Sequence, residues 1–116
     1  MTDQTTQNIP HWQATDTHPE LSDRLKVAMR EVLDPELGMN IIQLGLVRDL
    51  VIEEDHATLK MILTTPFCPY GPSMIEDTRV KAEAALKMPT HIDLALDPWD
   101  FSMMEEPFDS NWGIYN

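Results

Sequence analysis

The chain has 116 residues, enough for one domain and too few for two. Apolar types make up 42% and charged types 24%, an ordinary globular balance that argues against wholesale disorder. Eight Lys plus Arg against twenty Asp plus Glu give a formal charge of −12. That excess disfavours phosphate backbones and anionic membrane surfaces, since both are bound through basic residues. No apolar run approaches the roughly 18 residues of a membrane span, and the N-terminus has no basic-then-apolar leader pattern. The expectation is a soluble, cytoplasmic protein that meets other proteins or cations, with no nucleic-acid and no membrane partner. One cysteine, Cys68, excludes an intramolecular disulfide and any multi-cysteine metal site within a single chain.

Residues 1–18 are polar and aperiodic and are expected to form a flexible tail, with Trp12 a stray exposed aromatic. A helix is predicted from about Pro19 to Leu33. Thr17 and Glu20 would form a capping box, Pro19 suits the first turn, and Leu21, Leu25, Ala28, Met29 and Val32 make an inward stripe. Asp34-Pro35 ends it, because proline disfavours the α-region for its predecessor. Residues 36–45 read as a long connection in which Asn40 caps one short turn.

Residues 46–53 and 57–64 read as two antiparallel strands joined by Glu54-Asp55-His56. A second helix opens at Pro72 and ends before Pro89, and Ile92, Leu94 and Leu96 alternate with His91, Asp93 and Ala95 as a third strand. The predicted order is helix, strand, strand, helix, strand, a two-layer α+β domain spanning residues 19–116. Its last part, residues 97–116, is irregular yet rich in Trp, Phe and Met, and is expected to pack back as a C-terminal extension.

No phosphate loop, dinucleotide fingerprint or nucleophile elbow is present. His11, His18, His56 and His91 are scattered without metal-ligand spacing. The unusual stretch is Thr64-Thr65-Pro66-Phe67-Cys68-Pro69, where two prolines flank the cysteine just ahead of a helix start. A thiolate there could bind metal or attack an electrophile; a buried structural cysteine is the plainer reading, and the residues alone favour it modestly. Asp34 and Glu36, around Pro35, are either cation ligands or acceptors that pin the following loop, and pinning is commoner. Asp97 and Asp100, around Pro98-Trp99, pose the same question more weakly.

Taken together, Asp34-Pro35-Glu36-Leu37, Asn40-Ile41-Ile42-Gln43-Leu44-Gly45-Leu46-Val47 and Thr64-Thr65-Pro66-Phe67-Cys68-Pro69 resemble the domain-of-unknown-function fifty-nine family of iron–sulfur cluster assembly factors. Pro98-Trp99, Met104 and Trp112-Gly113 extend the match towards the end of the chain, although Met104-Glu105-Glu106 departs from relatives that continue into serine and an arginine-containing helix. The resemblance implies an iron–sulfur assembly fold and a non-enzymatic role in maturing client proteins. It puts a candidate cluster ligand at Cys68 and motif or partner-binding positions at Asp34, Pro35, Glu36, Thr64, Thr65, Pro66, Pro69, Trp99 and Met104. The implied cofactor is a labile, transient iron–sulfur cluster that the monomer does not hold tightly. The implied partners are the assembly machinery and client apoproteins, with a homodimer left open. A thiol-dependent enzyme using Cys68 and a metal-free adaptor are the alternatives.

Overall fold

A computed structural model describes residues 10–65 and 69–104. Helices α1 (Gln13–Thr17) and α2 (Pro19–Met29) lead into a minimal hairpin, β1 (Leu33–Asp34) with β2 (Met39–Asn40), and then into α3 (Ile41–Leu44). Strands β3 (Val47–Ile52) and β4 (Ala57–Met61) follow, then α4 (Gly71–Leu86), β5 (Thr90–Leu94) and a 3-10 turn at Phe101–Met103. The sheet order is β3-β4-β5, with β3 antiparallel and β5 parallel to β4. The long crossover through α4 is what a parallel neighbour requires. The fold is α+β, as expected.

The core lies between the sheet and the packed pair α2 and α4. From α2 come Leu25 and Met29, from α4 Met74, Thr78, Ala82 and Leu86, and from the sheet Leu50, Leu59 and Met61. Thr78 is tolerated there because its hydroxyl donates to the Met74 carbonyl at 2.8 Å. Alternation along β4 turns Ala57, Leu59 and Met61 inward and leaves Lys60 exposed.

Several expectations need correction. Residues 10–18 are not a loose tail: Trp12 is 4% exposed, and its indole N–H donates to the Val47 carbonyl at 3.1 Å. The Gln13 backbone and side-chain amides both donate to Asp49, so α1 is fastened along β3 by hydrogen bonds reaching across 36 residues. No local pattern signals such an attachment. Residues 1–9 lie outside the described residues.

The Thr17–Glu20 capping box does not form. His18 precedes α2 without a side-chain cap, and Thr17 turns back to donate to the Gln13 carbonyl of α1. Helix α2 stops at Met29, earlier than Leu33, because residues 33–34 leave to pair with residues 39–40. The expected long connection therefore contains a hairpin. The short turn after Asn40 is as read: Asn40 accepts from the Gln43 N–H at 2.8 Å, and Gln43 accepts from the Asn40 N–H at 3.1 Å. Strand β5 ends at Leu94, so Leu96 points to solvent instead of extending an apolar face. The C-terminal extension does pack back as far as Met104, and residues 105–116 lie outside the described residues. Among the described residues no helix is long and apolar enough to cross a membrane.

Candidate functional site

Asp34 ends up fully buried, which a carboxylate tolerates only when its oxygens are satisfied. Its Oδ1 accepts from the Glu36 N–H at 2.8 Å and the Leu37 N–H at 3.2 Å. Its Oδ2 accepts from the Thr64 hydroxyl at 3.3 Å, thirty residues away. The Asp34 carbonyl accepts from the Gly38 N–H at 2.8 Å, closing the tight turn between β1 and β2. Loop pinning is thus what Asp34 does. Pro35 and Glu36 ride on the pinned turn, exposed to solvent.

The Thr64 contact also joins two motifs that are remote in sequence. Thr64 and Thr65 follow β4 and start the segment that carries Cys68, so the acidic motif holds the base of the cysteine loop. Pro66, Phe67 and Cys68 themselves lie outside the described residues, and the expectations for Pro66 and Cys68 lie there with them. The chain resumes with exposed Pro69 and half-exposed Tyr70, whose carbonyl accepts from the Met74 N–H in the first turn of α4.

Beside this junction runs an open groove of about 600 Å³ between the β1–β2 turn and the first half of α4. Leu33, Pro35, Tyr70 and Val80 give it an apolar lining, and Glu76 and Asp77 form an acidic margin. Leu33 is 56% exposed and Val80 49%, so the groove presents apolar side chains to solvent next to the buried motif. The acids are moderated by intrahelical partners: Arg79 pairs with Glu76, and Lys81 with Asp77 at 2.9 Å. The Arg79 hydrogen bond holds the Glu76 carboxyl below the ordinary glutamate range. Among the described residues no three His, Cys, Asp or Glu side chains converge as a metal shell. The Asp34 carboxylate is scaffold through its three hydrogen bonds, and the exposed Glu36 side chain does not join it.

Trp99 and Met104 belong to a different cluster. The Trp99 indole donates to the Leu44 carbonyl at 2.7 Å, and Met103 and Met104 are buried. Arg48 donates to the Gly45 carbonyl at 2.9 Å. Partial burial lowers the Arg48 pKa, while Asp97 and Asp100 hold it up. The two aspartates thus serve as counter-charges to an arginine. Trp99 ties the extension to α3, Asp97 and Asp100 face Arg48 of β3, and none of these residues nor Met104 lines the groove.

Sequence reasoning missed Leu33, Tyr70 and Val80. Leu33 was hidden because it read as the last residue of a helix, and Val80 because it stands off the inward stripe of α4.

The geometry has relatives. The Fe-S protein maturation auxiliary factor of Porphyromonas gingivalis is 38% identical over 81 residues, covering 67% of this chain and 77% of that protein. The Fe-S protein maturation auxiliary factor SufT of Staphylococcus aureus is 37% identical over 76 residues, covering 63% and 86%. The crystal structure of a domain of unknown function (DUF59) from Bacillus anthracis matches with a TM-score of 0.73 over 87% of this chain and 99% of that one. At 24% identity that last likeness speaks for the fold alone. Residues 22–93, which contain the pinned acidic turn, the cysteine loop and α4, match the iron–sulfur cluster assembly protein family, and the chain belongs to it.

Proposed function

We propose that the chain is a non-enzymatic auxiliary factor in iron–sulfur protein maturation, acting in the cytoplasm on clusters as cargo. The observation that carries this reading is the Asp34–Thr64 hydrogen bond, which fastens the acidic turn to the base of the loop bearing Cys68. In this reading the thiolate of Cys68 touches the cargo, and Asp34 fixes the loop from which it does so. Leu33, Pro35 and Tyr70 form the apolar floor on which an assembly partner or client apoprotein docks beside it. Pro66 and Pro69 limit the conformations of the loop between its anchors.

Cysteine arithmetic sets how tightly cargo is held. Clusters are usually bound by about four thiolates, and one chain supplies only Cys68. The monomer is therefore a transient holder, and a cluster must share its ligands with a second chain, an exogenous thiol or the recipient. A thiol-dependent enzyme is disfavoured, because among the described residues no histidine lines the groove beside the loop to serve as its base.

The test is anaerobic reconstitution with iron and sulfide, read by absorbance and by metal content after gel filtration. The expected result is a labile chromophore that transfers to an apo-ferredoxin and vanishes in Cys68→Ser, whose fold is retained by circular dichroism. A monomer that keeps a full cluster through gel filtration, or a Cys68→Ser variant that binds as well as the parent, would overturn the proposal.

A further inference from the structure

The two edges of the sheet are treated differently. The β3 edge is blunted: its pairing shifts between Val47 and Asp49, and Trp12 and Gln13 lie along it and take up the Val47 carbonyl and the Asp49 carboxylate. Strand β5 is less guarded: Glu83 takes one N–H of its outer edge, but no bulge, proline, lysine or neighbouring element among the described residues covers the rest. It pairs with β4 in uninterrupted register and has no strand beyond it among the described residues.

The direction of its backbone groups follows from two flanking bonds. Ala57 N–H donates to the Pro89 carbonyl, and Ala95 N–H donates to the Met61 carbonyl. Odd-numbered residues of β5 thus face β4, and Thr90, Ile92 and Leu94 present their N–H and C=O groups outward. The Thr90 N–H is taken by the Glu83 carboxylate at 3.0 Å. Among the described residues nothing takes the N–H groups of Ile92 and Leu94 or the carbonyls of Thr90, Ile92 and Leu94, which are left along the rim.

We propose that this rim is a self-association surface, on which β5 of a second copy pairs antiparallel about a two-fold axis at Ile92. The strand's own sequence supplies both occupant and register, because pairing with itself sets unlike side chains opposite each other. With Ile92 opposite its own copy, His91 falls opposite Asp93 of the partner subunit, and Asp93 opposite the partner's His91. Both positions are exposed on the outer face, and such non-hydrogen-bonded pairs bring side chains closest. Shifting the axis to Asp93 would set two carboxylates against each other, and shifting it to His91 would set two imidazoles against each other. Shifting it to Leu94 would also match His91 with an aspartate, the partner's Asp97, but only by running past the end of β5. The Ile92-centred register alone keeps every pair inside the strand.

Ile92 exchanges two hydrogen bonds with its copy, and Leu94 N–H donates to the Thr90 carbonyl of the partner subunit on each side. The Glu83 bond to Thr90 N–H is preserved. Leu94, 38% exposed in the single chain, would be covered on the helix side of the new junction. The pairing makes one six-stranded sheet and stands whether or not the chain handles clusters.

Sedimentation velocity over a concentration series tests it on the full chain under reducing conditions. The expected result is a reversible monomer–dimer equilibrium. His91→Asp places four carboxylates in the junction and should weaken association roughly tenfold. Adding Asp93→His restores the opposition of unlike groups with the sequence order reversed, and should recover most of the loss. Both positions are exposed, so circular dichroism should be unchanged in either variant. Hydrogen exchange at Ile92 and Leu94 should slow as concentration rises. A chain that stays monomeric at millimolar concentration, or a dimer indifferent to His91→Asp, overturns the proposal. Dimerisation only after removal of residues 105–116 also overturns it, because the rim would then belong to the chain's own end.

Discussion

Removing the Asp34 side chain takes the buried acceptor from two backbone N–H groups and one hydroxyl at once, all in partly buried hydrogen bonds. The cost of a lost acceptor in such a place is larger than the net worth of the bonds it made. Asp34→Ala is expected to lower unfolding free energy by about 2–3 kcal/mol in denaturant titrations. Asp34→Asn, which keeps one acceptor oxygen for the turn, should lose less. Thr64→Val makes a finer cut: the β1–β2 turn stays intact while the cysteine loop loses its tether. Its signature is faster alkylation of Cys68 relative to the parent, with little change in stability.

At the scale of elements, the docking of the C-terminal extension depends on one glycine. Gly45 has φ +75°, and a Cβ there would sit 1.9 Å from the Met103 carbonyl oxygen. Two costs combine: a left-handed backbone that L-residues avoid, and a backbone collision that no rotamer can relieve. Gly45→Ala is expected to cost more than about 1 kcal/mol and to release the 3-10 turn, seen as a red shift of Trp99 emission and faster exchange at residues 101–104. Acid should loosen the same turn. The Ser102 hydroxyl and N–H both bond the Asp100 carboxylate and hold its pKa below the ordinary aspartate value. A carboxyl with a depressed folded-state pKa contributes stability above its unfolded pKa and loses it as pH falls through the folded one. Exchange protection at Ser102 and Met103, relative to an unstructured peptide at the same pH, should therefore fall below about pH 4.

These elements also mark what could be read in the sequence. The α2 and α4 stripes and the β3–β4 pair carry their own periodicity, and the Asn40 turn carries both halves of its capping box. Those were legible because the information is local. The attachment of α1 was not, since five residues of helix owe their position to Val47 and Asp49, far along the chain. Leu33 failed for a related reason: a helical spacing continued into it, and the pairing with Asn40 prevailed. Of the candidate site, the motif identities were legible. That Asp34 is a buried anchor and Glu36 an exposed bystander required the fold.

For the molecule as a whole, a formal charge of −12 on 116 residues means that folding concentrates like charge. Helical pairs such as Lys81–Asp77 offset it only locally. Self-repulsion of this kind is screened over about 10 Å at 0.1 M salt. Melting temperature is expected to rise by a few degrees between low and physiological ionic strength, as read by scanning calorimetry with a non-coordinating salt. A flat response would mean that the acids are spread too evenly to oppose compaction.

The four-residue helix α3 ends on Gly45 in the left-handed conformation, whose N–H bonds back to the Ile41 and Ile42 carbonyls. Two further carbonyls at that end are met from outside, that of Gly45 by Arg48 and that of Leu44 by the Trp99 indole, 55 residues later. During synthesis at roughly 5–20 residues per second, the ribosome therefore makes Leu44 several seconds before Trp99 exists. Over that interval the nascent chain carries α3 without the indole on its Leu44 carbonyl, beside a sheet that still lacks β5. The arrival of Pro98-Trp99 is the event that seals that carbonyl.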